Sequence, residues 1–222
     1  MRASWRTEWP MWLLLWAQFL LAAGSWPKSP ERIPTHWGLD GQIDGYGSRF
    51  QGLLLLPLVS LGLYLALLVA PQIDPKRESY RHFAGTYTLL RFAVLAVMTA
   101  MYGMIQLALR GYEVPMNRVV PLAIGALFLV IGSQTGRLRP NWFVGARTPW
   151  TLSSEASWNR TNRLAGWLLI GAGAMLLLAG ALGSPLLMVA TVAGTVLGAV
   201  GLVFYSYRVW AADPNKEGAD PV

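Results

Sequence analysis

The sequence has no cysteine, only two histidines, and charged residues at 13% of its 222 positions. Without cysteine there can be no disulfide, no thiolate metal site and no cysteine nucleophile. With His36 and His82 alone, a zinc-binding HExxH helix is excluded, and no Ser-His-Asp set or phosphate-cradling glycine loop appears. So little charge cannot cover a water-soluble surface. The chain lacks any charged residue between Leu164 and Tyr207, 44 positions broken only by Gly183-Ser184-Pro185. A bilayer core about 30 Å thick is crossed by about 20 apolar helical residues, so this run predicts two spans joined by a tight turn. Backbone in hydrocarbon must satisfy its own hydrogen bonds, which makes the spans helical.

Uncharged stretches from Trp9 to Pro27, Phe50 to Ile73, Phe92 to Leu109 and Val119 to Gly136 supply four more. The expected fold is all-α: a polytopic membrane protein built as a six-transmembrane-helix bundle. Residues 1–73 form an N-terminal two-span unit with an extracytoplasmic loop at 28–49. Residues 74–118 hold the third span and its flanks, and residues 119–222 hold spans four to six with an inner loop at 137–163. The first stretch also has the makings of a cleavable leader, with Arg2, Arg6 and the small residues Ala22-Ala23-Gly24. Its tryptophan-rich core and the helix-stopping Pro27 favour a retained anchor.

Lysines and arginines orient the bundle. With the N-terminus cytoplasmic, the inner segments carry twelve of them and the outer segments five, while Arg91 begins the third span. Both termini are therefore expected in the cytoplasm. The net charge of +7 reads as topology and attraction to anionic lipid rather than direct nucleic-acid binding. Arg91 can snorkel to the headgroups or meet Glu78. Gln18 and Gln106 are expected to bond between helices. The sequence shows no chain of buried carboxylates, which disfavours a proton-coupled pump. Glycines at 166, 171, 173 and 180, with Ala190, Gly194 and Gly198, predict close packing of the last two spans on each other.

Two loops carry the remaining information. The first, from Ser29 to Arg49, is dense in Gly and Asp and reads as turns. His36, Asp40 and Asp44 match no established cation loop, so no metal is assigned. With Trp37 and Tyr46 they form a polar and aromatic surface fit for an external ligand. The second runs from Arg137 to Trp167. Pro140 and Pro149 interrupt any helix at its start. Ser153 or Thr151 can then cap a helix whose Trp158, Asn162 and Ala165 share one face while Arg160 and Arg163 meet the headgroups. A plain connector would explain the arginines and tryptophans but not the string NWFVGARTPWTL.

That string, from Asn141 to Leu152, and W-x-x-T-N-R-x-A-G from Trp158 to Gly166 resemble the signature of the SdpI family of bacterial toxin-immunity membrane proteins. The outer-loop stretch IPTHWGLDGQIDGYGSR resembles the small domain of unknown function that commonly precedes it. The resemblance implies a six-span inner-membrane protein that protects its cell against a secreted antimicrobial peptide. In some relatives it also implies binding of a cytoplasmic repressor and a relay to transcription. By position it transfers Asn141, Gly145, Arg147, Thr148, Pro149, Trp150, Thr151, Leu152, Trp158, Thr161, Arg163 and Gly166. Asn162 stands where many relatives are expected to have histidine, so a protonation switch is not available there.

The reading that follows is an immunity or receptor-like protein with no catalytic residues and no cofactor. Its outer contact residues are His36, Trp37, Asp40, Asp44 and Tyr46. Its inner loop, led by Arg147, Arg160 and Arg163, would dock an acidic partner. The partners expected are membrane lipid, a secreted peptide toxin and a cytoplasmic repressor. The alternative is a small-molecule or ion transporter or channel, with Pro57 and Pro121 as the candidates for broken helices. A membrane enzyme, with Asp40 and Asp44 as paired carboxylates, has the least support.

Overall fold

The protein is described here by a computed structural model covering residues 5–216; Arg2, counted above among the inner cations, lies outside the described residues. Helix α1 (Trp5–Ser25) leads through a short 3-10 turn into a hairpin of β1 (Arg32–Trp37) and β2 (Ile43–Ser48). A π-helical turn (Gln51–Leu55) then opens α2 (Leu56–Ile73). A 3-10 segment (Arg77–Phe83) precedes α3 (Ala84–Leu109), followed by α4 (Met116–Thr135), the one-turn α5 (Pro149–Leu152), α6 (Glu155–Leu182) and α7 (Pro185–Ala211). The chain is a helical polytopic bundle with one two-stranded hairpin at one end.

Five helical stretches are long and apolar enough to cross a membrane: Gln51–Ile73, Arg77–Leu109, Met116–Thr135, Glu155–Leu182 and Pro185–Ala211. The first expected span, α1, is a 21-residue helix but is not among the five. Its four tryptophans and Glu8 lower its apolar character, and Trp5, Trp9 and Trp16 point outward. The joint between the last two spans falls where the uncharged run is broken. Gly183 takes a positive φ of 61° to close α6, Ser184 accepts from the Leu187 amide, and Pro185 begins α7.

The 23 residues from Gln51 to Ile73 extend about 34 Å as helix. The hairpin therefore lies at one end of the bundle and residues 137–154, which reach Asp74 at the end of α2, at the other. Three buried clusters are stacked between them. Ala22, Ile33, Leu53 and Tyr102 sit at the hairpin end, and Met11, Leu15, Tyr64 and Leu95 in the middle. Tyr80, Phe83, Tyr87, Leu90, Leu138 and Trp158 form the third, at the far end.

Prolines in α2 leave carbonyls without an i+4 amide, and tyrosines of α3 supply the missing donors. Pro57 cannot donate to Leu53, and the Tyr102 hydroxyl donates to the Leu53 carbonyl at 2.9 Å. Pro71 cannot donate to Leu67, and the Tyr87 hydroxyl donates to the Leu67 carbonyl at 2.5 Å. The glutamines bond between helices as expected. Gln18 donates to Thr99 at 2.8 Å, while Gln106 accepts from Ser25 at 2.6 Å and donates to Tyr102 at 2.8 Å.

Two expectations are corrected. The glycines of α6 pack mainly against α4 rather than α7. A Cβ on Gly173 would lie 2.8 Å from the Gly125 carbonyl oxygen, one on Gly166 would lie 2.7 Å from that of Gly132, and one on Gly180 would lie 2.7 Å from that of Arg118. Positions 118, 125 and 132 thus oppose 180, 173 and 166 at seven-residue steps, an antiparallel seam in which glycine lets two backbones touch. Of the α7 stripe, Gly198 meets Leu168, whereas a Cβ on Gly194 would touch nothing. Arg91 neither snorkels nor meets Glu78. Two turns into α3 and 3% exposed, it forms a bidentate ion pair with Glu8 of α1, at 3.1 and 2.6 Å. Glu78 pairs instead with Arg81.

Candidate functional site

The structure places the singled-out residues at both ends of the bundle. At one end, the loop read as turns is an antiparallel hairpin whose register runs from Arg32↔Ser48 to Trp37↔Ile43, with irregularities after Pro34 and His36. Gly38 donates to the Gln42 carbonyl at 2.8 Å, and the Asp40 carboxylate accepts the Gln42 amide at 3.0 Å, closing the tip. Gly41 there has φ 84°, and a Cβ on it would also meet Asn117 at 2.9 Å, so the tip is seated on the first turn of α4. Ile33, fully buried among Ala22, Leu53 and Tyr102, pins the other end of the hairpin into the bundle.

Of the five expected contact residues, His36 and Asp44 form an exposed pair across the strands, Nδ1 to Oδ1 2.5 Å. Trp37, Asp40 and Tyr46 instead line a cleft of about 840 Å3 between the hairpin tip and the α3–α4 connection. The opposite wall is Tyr112, Glu113 and Asn117. No local sequence signal points to those three, since they come from the α3–α4 connection and the first turn of α4, and only folding brings them there. Among the described residues, no group of three or more His, Asp or Glu side chains could hold a metal ion.

At the other end, residues 137–154 form a strap that closes the bundle. Asn141, fully buried, accepts the Phe143 and Val144 amides at 2.9 and 2.8 Å and donates to the carbonyls of Arg139 and Val144. The buried Asp74 carboxylate accepts the Trp142 amide at 2.9 Å, the Tyr80 hydroxyl at 2.8 Å and the Lys76 amide at 2.7 Å. Gly145 takes φ 104°, and a Cβ there would lie 2.5 Å from the Asn162 Oδ1. Asn162 uses that oxygen to accept the Ala146 amide at 2.7 Å and donates to the Trp158 carbonyl at 3.1 Å. Trp158, fully buried, donates to the Leu138 carbonyl at 2.9 Å.

The caps differ by a few residues from expectation. A one-turn helix that was not expected, α5, is capped by Thr148 in a reciprocal box with Thr151, and Pro149 opens it. Ser154, not Ser153 or Thr151, caps α6, which runs unbroken from Glu155 through the span instead of turning into it. The Thr148 hydroxyl lies 3.0 Å from that of Ser206 on α7, and Trp150 packs edge-on against Tyr207 at 5.2 Å. Asp213, just past α7, accepts the Ser154 hydroxyl at 2.5 Å. That bond, with the Asn215 amide and the nearby Lys216 and Arg160, holds its carboxyl below the usual carboxylate range.

Asn141, Thr151, Trp158 and Asn162 are therefore spent on holding the strap and leave no face for a partner, while Arg147, Arg160 and Arg163 are exposed. Arg147 donates to the Trp142 carbonyl at 2.6 Å. Beneath the strap, an apolar cavity of about 510 Å3 opens between the spans, bordered by Leu67, Arg91, Phe143, Leu168 and Thr195. The residues that sequence reasoning missed are those whose partners are remote: Glu8, Asp74, Tyr80 and Ser206.

Two stretches of the chain match known protein families. The SdpI/YfhL protein family matches residues 137–206, from the start of the strap to the α7 serine that holds it. A domain of unknown function, DUF1648, matches residues 13–61, comprising most of α1, the hairpin and the start of α2. The Immunity protein SdpI of Bacillus subtilis (strain 168) is 27% identical over 163 residues, covering 72% of this chain and 75% of that protein. No solved structure matches the chain.

Proposed function

We propose that this chain, which matches the SdpI/YfhL protein family over residues 137–206 and is similar to an immunity protein over most of its length, is an immunity protein of the bacterial cytoplasmic membrane. It protects its cell against a secreted, membrane-active peptide. In this reading both termini are cytoplasmic, and the hairpin and its cleft face the exterior. The chain acts by binding, not by catalysis, and contacts no nucleic acid directly. The single observation that carries the reading is the pairing of a family-matched strap at one end with a preformed, aromatic-lined cleft at the other. The distribution of lysine and arginine supports the orientation.

The toxin meets the hairpin face, where Trp37, Asp40 and Tyr46 line the cleft and the His36–Asp44 pair flanks it. Capture there competes with insertion into the bilayer. The exposed Arg147, Arg160 and Arg163 support a finer reading, in which an acidic surface of a cytoplasmic repressor docks on the strap and receives the signal. The transport alternative draws on the cavity beneath the strap. Its apolar walls suit a lipid-soluble molecule and offer no aqueous path for an ion.

Expression in a peptide-sensitive bacterium tests the function. Survival should rise on challenge with membrane-active peptides secreted by relatives of the source cell, and no ion flux should appear in proteoliposomes. Unchanged killing across the panel refutes the reading, and flux with no protection favours the alternative. A charge reversal at Arg160 and Arg163 that leaves protection intact but abolishes capture of the repressor would separate relay from resistance.

A further inference from the structure

The cleft at the hairpin end has a chemistry of its own. Three aromatic rings, Trp37, Tyr46 and Tyr112, share its walls with the carboxylates of Asp40 and Glu113, and no Lys or Arg among the described residues lines it. Glu113 is exposed and has no hydrogen-bond or ion-pair partner among the described residues. Asp40 uses one oxygen on the Gln42 amide, 3.0 Å away, and keeps the other free. Tyr46 is 54% exposed, and from the flank Arg32 brings its guanidinium to 6.0 Å of the ring centroid. That contact shows the ring face accessible to a cation. The walls are built in advance, because Gly41 seats the tip on Asn117 and Ile33 fixes the strands in the bundle.

We infer that this cleft captures a lysine or arginine side chain of an amphipathic peptide, with Glu113 and Asp40 supplying the counter-charge and Trp37, Tyr46 and Tyr112 the ring faces. Aromatic faces attract ammonium and guanidinium groups through their quadrupole, most strongly where water is partly excluded. A cleft of about 840 Å3 admits such a side chain with its neighbours. Its site at the end of the bundle leaves the apolar side of the peptide free to rest against lipid, so one contact holds a surface-bound peptide short of insertion. Two carboxylates without a third ligand make a poor cage for a bare divalent ion. The inference rests on the immunity reading for its biological setting and adds the chemical class of the ligand and the two residues of the α3–α4 connection, Tyr112 and Glu113.

The test uses the full chain in phosphatidylcholine nanodiscs and an 18-residue amphipathic Leu/Lys peptide, with a Leu/Gln peptide of the same pattern as control. Empty discs give the background for each. The Leu/Lys peptide should bind the loaded discs above that background, and the Leu/Gln peptide should not. E113Q and D40N should each weaken binding about five-fold, Tyr112→Leu about three-fold, and raising salt should weaken it further. Both carboxylate variants are on the surface, and unchanged melting temperatures confirm an intact fold. Equal binding of the two peptides, or full affinity in the E113Q/D40N double variant, overturns the inference. Loss of peptide binding in phosphatidylethanolamine discs would assign the cleft to lipid ammonium groups and overturn it too. A double variant that still protects cells refutes the cleft while sparing the immunity function; Glu113-dependent binding without any protection by the wild type does the reverse.

Discussion

Removal of one partner from the Glu8–Arg91 pair should be the most damaging single change in the membrane-embedded part of the protein. The two side chains are 7% and 3% exposed and meet through two hydrogen bonds, with the Tyr64 hydroxyl donating to Glu8 at 2.8 Å. The Arg91 guanidinium lies 5.3 Å from the Tyr64 ring centroid and 5.9 Å from that of Tyr87. Breaking a buried pair from one side leaves an uncompensated charge and costs about 3–5 kcal/mol. Glu8→Gln should fall at the low end, because the two rings still face the cation. Arg91→Met strands a buried carboxylate with only the Tyr64 hydroxyl as partner. The double variant Glu8→Gln/Arg91→Met leaves no charge and keeps a partner for Tyr64. It should recover to within about 1 kcal/mol of wild type, since replacement of a whole buried pair is often close to neutral. Thermal unfolding in one detergent, followed by size-exclusion fluorescence, measures the cycle. Each single variant should drop by on the order of 10 °C, and the coupling should exceed about 2 kcal/mol. Additivity within about 0.5 kcal/mol would mean that α1 is not held by this pair.

Tyr87→Phe should cost about 1–3 kcal/mol, because the Leu67 carbonyl loses its donor; in a Pro71→Ala background, where an amide becomes available, the same change should cost much less in a melting assay. Gly173→Leu drives a side chain into the α4 backbone at Gly125 and should destabilise by about 1–3 kcal/mol, whereas Gly194→Leu, facing open space, should be near neutral by the same measurement. Gly145→Ala forces a side chain into a left-handed backbone and against Asn162, with a loss of about 1–2 kcal/mol and faster proteolysis of the strap as the readout. The depressed Asp213 carboxyl contributes stability that is complete above the ordinary carboxylate range and is lost as the pH falls through its lowered value. Asp213→Asn should therefore lower the melting temperature at pH 7 and make progressively less difference in acid; a deficit that persists unchanged in acid would refute the assignment.

Most of the scaffold could be read from the chain directly. Hydrophobic runs between charges fall within five long apolar helices, because exclusion of charge from lipid acts on each segment by itself; α3 and α6 nevertheless begin at Ala84 and Glu155, well before the runs that start at Phe92 and Leu164. The stop at Gly183-Ser184-Pro185 was equally local, resting on the backbone preferences of those residues. The strap was visible as an over-specified string, but Pro149, read as a helix interruption, opens the one-turn α5, and the cap of α6 fell at Ser154. The hairpin was less legible. Its five glycines and aspartates between Gly38 and Gly45 suggest turns, and its strands form because Ile33 is drawn into the bundle beside Leu53 and Tyr102.

What the sequence determined by itself was which runs are helical and apolar enough to cross a membrane, and which two loops carry more detail than a connector requires. Tertiary structure alone decided the partnerships: α6 with α4 through opposed glycines, Glu8 with Arg91, Tyr87 and Tyr102 with the carbonyls that prolines leave bare, and the α3–α4 connection with the hairpin tip. Burial and helix formation respond to a residue's own neighbourhood, so a local pattern records them. Pairings between residues distant in the chain depend on which helices pack together, and with lipid as apolar as the side chains, that choice rests on shape and a few polar contacts.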